Sequence, residues 1–539
     1  MWSSTSSHFV SLKGSDVEEP PKKRLKQQEV LPLLATATKA QLDDCVAAFF
    51  YGTGIPLHIS RNPLFKDMLK RISLYRGGLY TGPAYNALRE ELLTRAKKHV
   101  IDELEPYFEH ARRVTGFALL CDGWTDVQGR PLLIFCLATP KGSHFLRAVD
   151  CTGFEKDGKF IFEQLAKVIE EIGAEHIMAV IMDGASANES ANKLLEERYP
   201  HIFTLHCTAH ALDLALQKIG ELQFFQSCID KAKKVVQIIT NSHGPHAIFK
   251  QKSALRLLKP GDTRFYTANI SCARLLKCKS AARQTVVSDG WDTWAKKPAN
   301  KDRSAVAKTI ILDEDFWLAV NLFCKLLKPM VYPMCAQIKE HIKAVGLDDN
   351  VQESVSKIFR ERWDKMHSPL HAAAYMLEPQ FRNAAFGREV KTDFRKVAKK
   401  MMPDTYVTAH TQFSSYTNNE GVFGDPDLMS MTEDGHNNQI PTYQFWNQEV
   451  LARIAQRVTA LVSSAGACER NWSTYDFIHS KKRNRLHPDR ANDLVFVFTN
   501  SRLIQKFKEP ERFAEWVQEI ESDDENMDEE EFEEEEEDN

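Results

Sequence analysis

The spacing of apolar residues changes near residue 115, and this change predicts two kinds of local structure. Upstream, apolar positions recur at helical intervals. The i, i+3, i+4, i+7 spacing of one helix face is met by Leu42, Cys45, Val46 and Phe49. We therefore predict a helical N-terminal region over 31–112, preceded by a polar, disordered tail over 1–30.

Short apolar runs predict a sheet in the next segment, 113–207. The five predicted strands are 117–121, 132–139, 144–152, 176–182 and 201–206. Helical spacing predicts helices at Lys159–Ile172, which Gly173 ends, and at Asn188–Tyr199, which Pro200 ends. This order predicts an α/β fold, a mixed sheet with helices on its faces, and it is the element order of a ribonuclease-H-like core.

The rest of the chain is predicted to be mostly helical and to interrupt that core. Over 208–447 we predict a large all-α insertion domain with a long loop near 402–445, where Thr, Asn, Asp, Gly and Ser are frequent. The candidate helices of the insertion are 209–219, 229–239, 316–338, 351–366 and 370–377. Helical spacing returns over 448–507, predicted as C-terminal core helices, and an acidic tail follows over 508–539.

Composition narrows the class of protein. The 539 residues are 43% hydrophobic and 10% aromatic, which is typical of folded domains. No apolar run is long enough to span a membrane, and the first residues lack the apolar segment of a secretory signal, so we expect neither feature. The 11 cysteines form no Cys-x-x-Cys pair, which favours a reduced, intracellular protein.

The net charge of −4 combines two unlike parts. Residues 521–539 carry 14 acids and no Lys or Arg, so the remaining chain has 70 basic and 60 acidic residues (74 − 14) and a charge of +10. Such a body attracts polyanions. The acidic tail either stays solvated or folds over the basic surface, where it would mimic a polyanion. The basic cluster Pro20–Lys26 is either a nuclear import signal or a chance basic patch, and we predict a nuclear location.

Two aspartates, Asp122 and Asp183, each end an apolar run that is predicted to be a strand. Neighbouring strands would bring them together although 61 positions separate them (183 − 122). Alone, each is a candidate strand-end cap or turn residue. Together they are candidate metal ligands, because a rigid sheet holds carboxylates at the crevice beyond its strand ends.

Glu469 is the third candidate acid. If 463–479 is helical, one stripe is formed by Ala465, Cys468, Trp472 and Tyr475. Glu469 lies at the edge of that stripe, within reach of the two aspartates. Three carboxylates could hold two Mg²⁺ or Mn²⁺ ions about 3.5–4 Å apart for chemistry on a DNA phosphate. The alternative for Glu469 is a salt bridge to Arg470 or to a lysine.

These motifs resemble the hAT (hobo–Activator–Tam) transposase family, in particular its branch with a Gly-Trp-Thr-Asp motif. The similarity extends over residues 40–507. The matching segments are Asp122–Asp126, Asp183 with Ala185–Asn188, His206–His210, Leu326–Pro329, His371–Pro379, Cys468–Ser473, Lys482–Leu486 and Asp493–Val495.

The resemblance implies a ribonuclease-H-like core split by a helical insertion, and cut-and-paste chemistry on DNA. It implies that Asp122, Asp183 and Glu469 are the catalytic triad and the Mg²⁺ ligands, with no small-molecule cofactor. It also implies that 448–507 includes the dimerisation region of a homodimer or higher oligomer. Apolar spacing makes Leu494, Val497 and Phe498 the candidate contacts there, unless they pack against the core of their own chain.

Further residues are candidate DNA contacts. Cys207 and His210 match a pair that lies near DNA in the family; two ligands are too few for a structural zinc site, and a buried Cys with a capping His is the alternative. Arg264 matches a Thr-Arg-Trp motif, although Phe265 replaces the Trp and has less surface for stacking on a base. A basic cluster either contacts phosphates or is a solvated helix end, and it comprises Lys481, Lys482, Arg483 and Arg485.

Two functions are consistent with these observations. One is an active, nuclear, dimeric, Mg²⁺-dependent DNA transposase, which the three acids favour. The other is a domesticated, catalytically silent nuclear regulator that dimerises or binds DNA. The second is favoured by the acidic tail, by Phe265, and by residues 1–40, which contain no Cys and one His and so lack the ligands of a zinc finger.

Overall fold

The computed structural model describes residues 38–78, 80–126, 128–260, 266–327, 335–424, 445–446, 450–478 and 487–511. The chain divides into two units, Met1–Gly82 with Pro510–Asn539, and Pro83–Glu509. The helical region predicted over 31–112 is therefore split at Gly82, and its last helices belong to the larger unit. Among the described residues, no helix combines the length and the apolar character needed to cross a membrane.

Within its described residues, the smaller unit contains two helices, α1 (Lys39–Thr53) and α2 (Pro63–Leu74), with a 3-10 turn at Leu57–Arg61. Helix α1 starts where Thr38 and Gln41 form a reciprocal capping box. The ring of Phe50, the one buried residue of α1, meets the edge of Phe65 at a centroid distance of 5.3 Å. Most other large apolar side chains of these two helices are exposed.

A five-stranded mixed sheet lies at the centre of the larger unit. Its strands are β1 (Phe117–Thr125), β2 (Pro131–Thr139), β3 (Gly142–Asp150), β4 (Ile177–Met182) and β5 (Phe203–His206). The strand order is β3–β2–β1–β4–β5. Strands β1, β2 and β3 pair antiparallel, whereas β4 pairs parallel with both β1 and β5. The predicted α/β class is confirmed.

Helices surround this sheet and also form a separate helical body. Those before and between the strands are α3 (Tyr85–Arg89), α4 (Glu91–Arg113), α5 (Gly158–Ile172) and α6 (Ser186–Arg198). The next ten are α7 (Thr208–Gly220), α8 (Gln223–Thr240), α9 (His243–Lys250), α10 (Tyr266–Lys277), α11 (Lys279–Val286), α12 (Asp289–Ala295), α13 (Lys301–Leu312), α14 (Glu314–Leu327), α15 (Cys335–Ala344) and α16 (Asp349–Met366). The last six are α17 (Pro369–Leu377), α18 (Arg388–Met401), α19 (Tyr406–Thr417), α20 (Val450–Thr459), α21 (Gly466–Ile478) and α22 (Pro488–Lys508).

The side chains of the central strands alternate between two hydrophobic cores, because successive strand residues point to opposite faces. Leu120 and Ile134 belong to a core shared with α17 to α22. Leu119 and Phe135 belong to the core on the other face, shared with α5 and α6. A sheet covered on both faces requires apolar residues at nearly every position, which explains the continuous apolar runs of β1, β2 and β4.

The helical body has its own core, and its extent differs from the predicted insertion. The buried residues of this core run from Leu216 to Val355. From Leu370 to Phe423, within the predicted insertion of 208–447, the buried residues instead belong to the core of the sheet. The insertion that is independent of the sheet is therefore shorter than predicted. The reason is that α17, α18 and α19 each turn an apolar face toward the sheet core.

The loop predicted near 402–445 is wrong for residues 406–417, which form α19. Polar residues dominate this helix, and its apolar face is narrow. Ala409, Phe413 and Tyr416 are buried at i, i+4 and i+7, so tertiary packing supplies the stability that local propensity does not. Residues 425–444 of the predicted loop lie outside the described residues.

The C-terminal helix α22 covers the outer edge of β3, which would otherwise present unpaired backbone groups. The Asn492 side chain accepts a hydrogen bond from the Ala148 N–H and donates one to the Ala148 carbonyl, both at 2.8 Å. Asn500, which is buried, does the same for Phe145 at 3.1 and 2.9 Å. The two side-chain amides thus form the hydrogen bonds with the β3 backbone that a neighbouring strand would form. Helix α22 is therefore part of the same folded unit as the sheet.

The predicted dimer contacts Leu494, Val497 and Phe498 are half-buried on this helix. They pack against the core of their own chain, which was the alternative that their spacing left open. The guanidinium carbon of Arg502 also lies 4.7 Å from the centre of the Phe498 ring. Their intramolecular packing explains why these positions are apolar, whatever their role between chains.

His144 makes the stability of the sheet depend on pH. Its ring is fully buried on β3, 3.3 Å from the Thr139 hydroxyl, and burial lowers the pKa of His144 from 6.5 to about 4. Because the unfolded chain takes up a proton that the folded chain excludes, this group destabilises the fold as pH falls from the unfolded pKa toward the folded one. The expected loss between about pH 7.5 and pH 5 is roughly 2 kcal/mol.

His144→Gln keeps a polar partner for Thr139 and does not titrate, so its unfolding free energy should fall less over this pH interval. Urea unfolding at both pH values, followed by fluorescence, measures the difference between the variant and the wild type. Identical pH dependence in the two proteins would show that the protonation of His144 is not coupled to folding.

Candidate functional site

The register of the parallel strands brings Asp122 and Asp183 to the same level of the sheet. Leu120 of β1 pairs with Ile181 of β4, and each aspartate lies two residues further along its strand direction. Neighbouring strands are about 4.8 Å apart. Since side chains two residues apart share a face, both aspartates follow residues of the core that contains α17 to α22. Two residues distant in sequence therefore meet at one edge.

The surroundings of the two aspartates differ. Asp122 is buried, and its Oδ1 accepts a hydrogen bond from the Gly123 N–H at 2.9 Å. Asp183 is half-buried, and its Oδ1 accepts from the Ala185 N–H at 2.8 Å and from the Asn188 amide at 2.6 Å. Asp183 thus orders the turn before α6, the role that its sequence context offered as the alternative. The same hydrogen bonds hold its carboxylate in place at the strand end.

The charges of both aspartates act on one neighbouring thiol. Burial, followed by the nearby charges of Asp122 and Asp183, raises the pKa of Cys121 well above its usual value. Cys468 on α21 responds similarly: burial first, then the neighbouring thiols and Asp122, raise its pKa. These shifts link β1, the end of β4 and the first turn of α21 within a single electrostatic environment.

Glu469 lies in the first turn of α21, which packs on the sheet through the residues around it. Cys468 and Asn471 are buried and contact β2: the Cys468 thiol lies 3.7 Å from the Ile134 carbonyl oxygen, and the Asn471 amide lies 3.6 Å from the Cys136 sulfur. Glu469 is half-buried beside Cys468. Ile134 is the β2 partner of Asp122, so the first turn of α21 approaches the sheet at the position of that aspartate.

Two tryptophans join the motif of β1 to the motif of α21. The rings of Trp124 and Trp472 are stacked, with centroids 6.2 Å apart and planes inclined by 8°. Tyr475 meets the edge of Trp124 at 6.1 Å. The aromatic residues that accompany Asp122 and Glu469 in the sequence therefore hold these two segments against each other.

Cys207 fixes the chain just before α21, which agrees with the buried cysteine that its sequence context offered as the alternative to a DNA contact. Its side chain is 3% exposed, and its sulfur accepts a hydrogen bond from the Ala465 N–H at 3.3 Å. The Thr208 N–H also donates to the Ser463 carbonyl at 2.9 Å. The enclosed thiol ties the end of β5 to the start of the helix that carries Glu469. His210 is half-exposed on α7.

Asp126, the second acid of the Asp122–Asp126 motif, has a structural role that sequence reasoning missed. Its buried carboxylate accepts hydrogen bonds from the Gln128 and Arg130 N–H groups and from the Arg130 guanidinium, at 2.6 to 2.9 Å. Burial alone would raise the pKa of Asp126, but these hydrogen bonds and the Arg130 charge outweigh it and lower the pKa. Asp126 thereby closes the turn between β1 and β2.

Lys156 is the basic residue that sequence reasoning did not find. A Cβ atom added to Gly123 would lie 3.7 Å from the Lys156 ammonium nitrogen. Because successive strand residues point to opposite faces, this cation lies on the face of the sheet opposite the Asp122 side chain. Its charge also lowers the pKa of the Cys151 thiol, although burial, the larger influence, raises that pKa. Lys156 belongs to the connection between β3 and α5, where no periodic pattern marks it, so only the folded chain reveals its position.

The donor chemistry of the three acids suits a hard divalent cation, because carboxylate oxygens are the preferred ligands of Mg²⁺. Their side-chain arrangement does not fit a ready-made centre. Within the part of the chain that the structure describes, no group of three or more His, Cys, Asp or Glu side chains is placed so that it could hold a metal ion. We therefore derive no catalytic step through a metal.

The remaining predicted DNA contacts lie outside the described residues: Arg264, Lys481, Lys482, Arg483 and Arg485. A surface cavity at the β3 edge is lined by residues of α4, β3 and α22, including Lys97, Arg147 and Asn492. None of the three acids lines it. The acidic edge formed by Asp122, Asp183 and the first turn of α21 remains the candidate site.

Comparison with known protein families gives a match to the part of the chain that contains the sheet. A family model described as a domain of unknown function, DUF659, matches residues 83–235. That domain is found in hAT-type transposase-related proteins. The match begins at the first residue of the larger unit and includes all five strands, Asp122 and Asp183. No curated protein matches the chain.

Proposed function

We propose that this protein is a hAT-type DNA transposase whose Asp122, Asp183 and Glu469 form an Asp-Asp-Glu triad for strand cleavage and transfer. The observation that carries the proposal is the convergence of β1, β4 and α21. Asp122 and Asp183 are level on adjacent parallel strands, and the first turn of α21 packs on β2 opposite Asp122. The match to a domain of transposase-related proteins supports the same class.

The proposal includes a ribonuclease-H-like core. Three antiparallel strands, with β1 central and two parallel strands continuing the sheet on its other side, support it. In such open sheets, ligands bind beyond the carboxyl ends of the strands. Both aspartates are at that end.

The proposed cofactor is Mg²⁺ or Mn²⁺, which would supply Lewis-acid stabilisation of charge on a phosphate. Binding requires the three carboxylates to turn toward one another from their positions in this structure. Asp183 retains two hydrogen bonds through Oδ1 alone, so its other oxygen is the one that would turn toward a cation.

The proposed substrate is DNA, and the proposed location of the protein is the nucleus. The charge of +10 on the chain without its last 19 residues (539 − 520) supports a polyanionic partner. The basic cluster Pro20–Lys26 supports nuclear import. Lys481, Lys482, Arg483 and Arg485 remain proposed phosphate contacts close in sequence to the triad glutamate.

The test uses the full-length protein and supercoiled plasmid DNA. With Mg²⁺ or Mn²⁺, we expect conversion to nicked or linear DNA, and EDTA should abolish it. DNA binding without cleavage under either cation would reject the transposase activity. That result would favour the alternative function, a domesticated and catalytically silent regulator that binds DNA or dimerises in the nucleus.

We also propose that the protein is a homodimer or a higher oligomer, through residues of 448–507. The chain mass is 61.5 kDa, so light scattering at micromolar concentration should give at least about 123 kDa (2 × 61.5). A mass of one chain would reject the oligomer. Because Leu494, Val497 and Phe498 pack against their own core, the wild-type mass is a cleaner measurement than substitutions at these positions.

A further inference from the structure

Helix α18 carries a straight row of four cations on its solvent face. Arg388, Lys391, Arg395 and Lys399 follow each other at intervals of three, four and four residues, which places them along one side of a helix. All four side chains are exposed. The opposite side is anchored by Phe394, Val397 and Ala398, which are buried in the core of the sheet. The row is therefore presented by a firmly packed helix.

The charges of this row are not neutralised by the protein around it. None of the four has an ion-pair partner among the described residues; Lys396, on the same helix, takes the buried Asp393 as its partner. Arg395 donates a hydrogen bond from Nε to His410 of α19 at 3.2 Å, which leaves its charge in place. The other acid of α18, Glu389, is exposed, so the helix has six basic and two acidic residues.

Like charges at helical neighbour positions repel each other and destabilise a free helix. Helix α16 shows the usual solution, with four cations and four acids along its length. Three consecutive like-charged neighbour pairs therefore lower the stability of the helix when nothing is bound to them. A polyanion that binds along the helix would remove this repulsion.

We propose that the row Arg388, Lys391, Arg395 and Lys399, the α18 row, binds the phosphate backbone of DNA. This inference rests on the proposed function and adds a second contact surface to it. The row extends about 16 Å along the helix, since eleven residues rise by about 1.5 Å each. A duplex carries one phosphate charge per about 1.7 Å of its axis on its two strands together, so a duplex segment of this length offers at least one phosphate for each of the four cations.

DNA is favoured over a compact anion because the four charges form a line rather than a cluster. No base-reading geometry is involved, so the contact positions DNA without selecting its sequence. The acidic segment 521–539 is the competing occupant within the chain, with 14 acids. A flexible acidic peptide must lose conformational freedom to follow a rigid line of charges, whereas duplex DNA is already a stiff line of phosphates and releases condensed counterions on binding.

The experiment compares the full-length protein with a variant carrying Arg388→Gln, Lys391→Gln, Arg395→Gln and Lys399→Gln. A matched control removes four cations from α16 through Lys357→Gln, Arg360→Gln, Arg362→Gln and Lys365→Gln. Binding to a fluorescent DNA duplex of random sequence is measured from about 50 to 200 mM salt. Circular dichroism melting of all three proteins checks that the exposed substitutions leave the fold intact.

The α18 variant should bind DNA about 100-fold more weakly, and the slope of log K against log salt should decrease by about 3 to 4. The α16 variant should change the slope by less than half as much. Arg388→Lys with Arg395→Lys, which keeps the charge, should retain the wild-type slope.

An α18 variant with the wild-type slope would overturn the inference while leaving the proposed function intact. Wild-type protein that does not bind DNA at all would instead reject the proposed function. An α18 variant that binds DNA more tightly would identify the row as the docking site of the acidic tail and would overturn the DNA contact.

Discussion

Replacement of Asp183 by Asn in the full-length protein is expected to reduce Mg²⁺-dependent cleavage of supercoiled DNA by at least about 10³-fold, since a lost ligand removes several kcal/mol of charge stabilisation. Asn retains an oxygen that accepts the hydrogen bonds from Ala185 and Asn188, so the turn before α6 should survive. Asp122→Asn and Glu469→Gln should have similar effects. Initial rates of nicking at saturating Mg²⁺ measure all three.

The three acids should behave as one unit. The double variant Asp122→Asn with Asp183→Asn is expected to be no slower than either single variant, because removal of one member already disables the set. Glu189→Gln is the matched control: Glu189 is an exposed acid in the first turn of α6, near Asp183 in sequence, and its loss should change the rate less than twofold. Equal rates for wild type and Asp183→Asn would remove Asp183 from the mechanism.

Replacement of Asp126 by Ala is expected to lower the free energy of unfolding by about 3–5 kcal/mol, the largest stability effect that we predict. The side chain of Asp126 is fully buried and that of its partner Arg130 is 19% exposed. Removing the carboxylate deprives the Arg130 guanidinium of its ion pair with Asp126 and leaves the Gln128 and Arg130 N–H groups without this acceptor. Urea unfolding at neutral pH measures the loss.

The exposed ion pair between Arg147 and Glu171 provides the control, because Glu171→Ala should cost less than about 1 kcal/mol. A second substitution, Arg130→Met in the Asp126→Ala protein, should recover part of the loss, since it removes a largely buried charge that no longer has the Asp126 carboxylate beside it. A loss below that of Glu171→Ala would show that the β1–β2 turn does not depend on this pair.

The same carboxylate predicts an acid sensitivity. The pKa of Asp126 is lowered in the folded protein, so its contribution is complete above its unfolded pKa of about 3.8 and is lost as pH falls through the folded value. Asp126→Ala should remove this part of the acid denaturation profile. Its effect appears at lower pH than that of His144, which separates the two groups experimentally.

Local spacing was sufficient to predict most of the secondary structure of the sheet region. The continuous apolar runs predicted β1, β2 and β4 because both faces of these strands are covered. The helical spacing of Phe162, Leu165 and Val168 predicted α5, with Gly173 as its end. Helix α19 was missed because its three buried residues are separated by polar ones, and only their contact with the sheet core makes the segment helical.

The two candidate aspartates could be predicted because each one directly follows an apolar run, and this pattern is visible within a few residues of sequence. The parts of the site that depend on contacts between remote segments were not predicted. The sequence left Cys207 as either a DNA contact or a buried cysteine, and its hydrogen bond with Ala465, 258 positions later, had no local signal. Lys156 and the Trp124–Trp472 stack likewise have no signal in the spacing of their neighbours.

The amino-acid sequence by itself determined the α/β class, the five strands and the charge division between body and tail. These properties follow from short-range spacing and composition, and both can be seen in a short segment of the sequence. Only the tertiary structure decided that Asp122 and Asp183 are level, that α21 begins beside them, and that four cations of α18 form an exposed line. Strand register and helix packing depend on contacts between residues that are about 60 to more than 250 positions apart, and local spacing does not encode them.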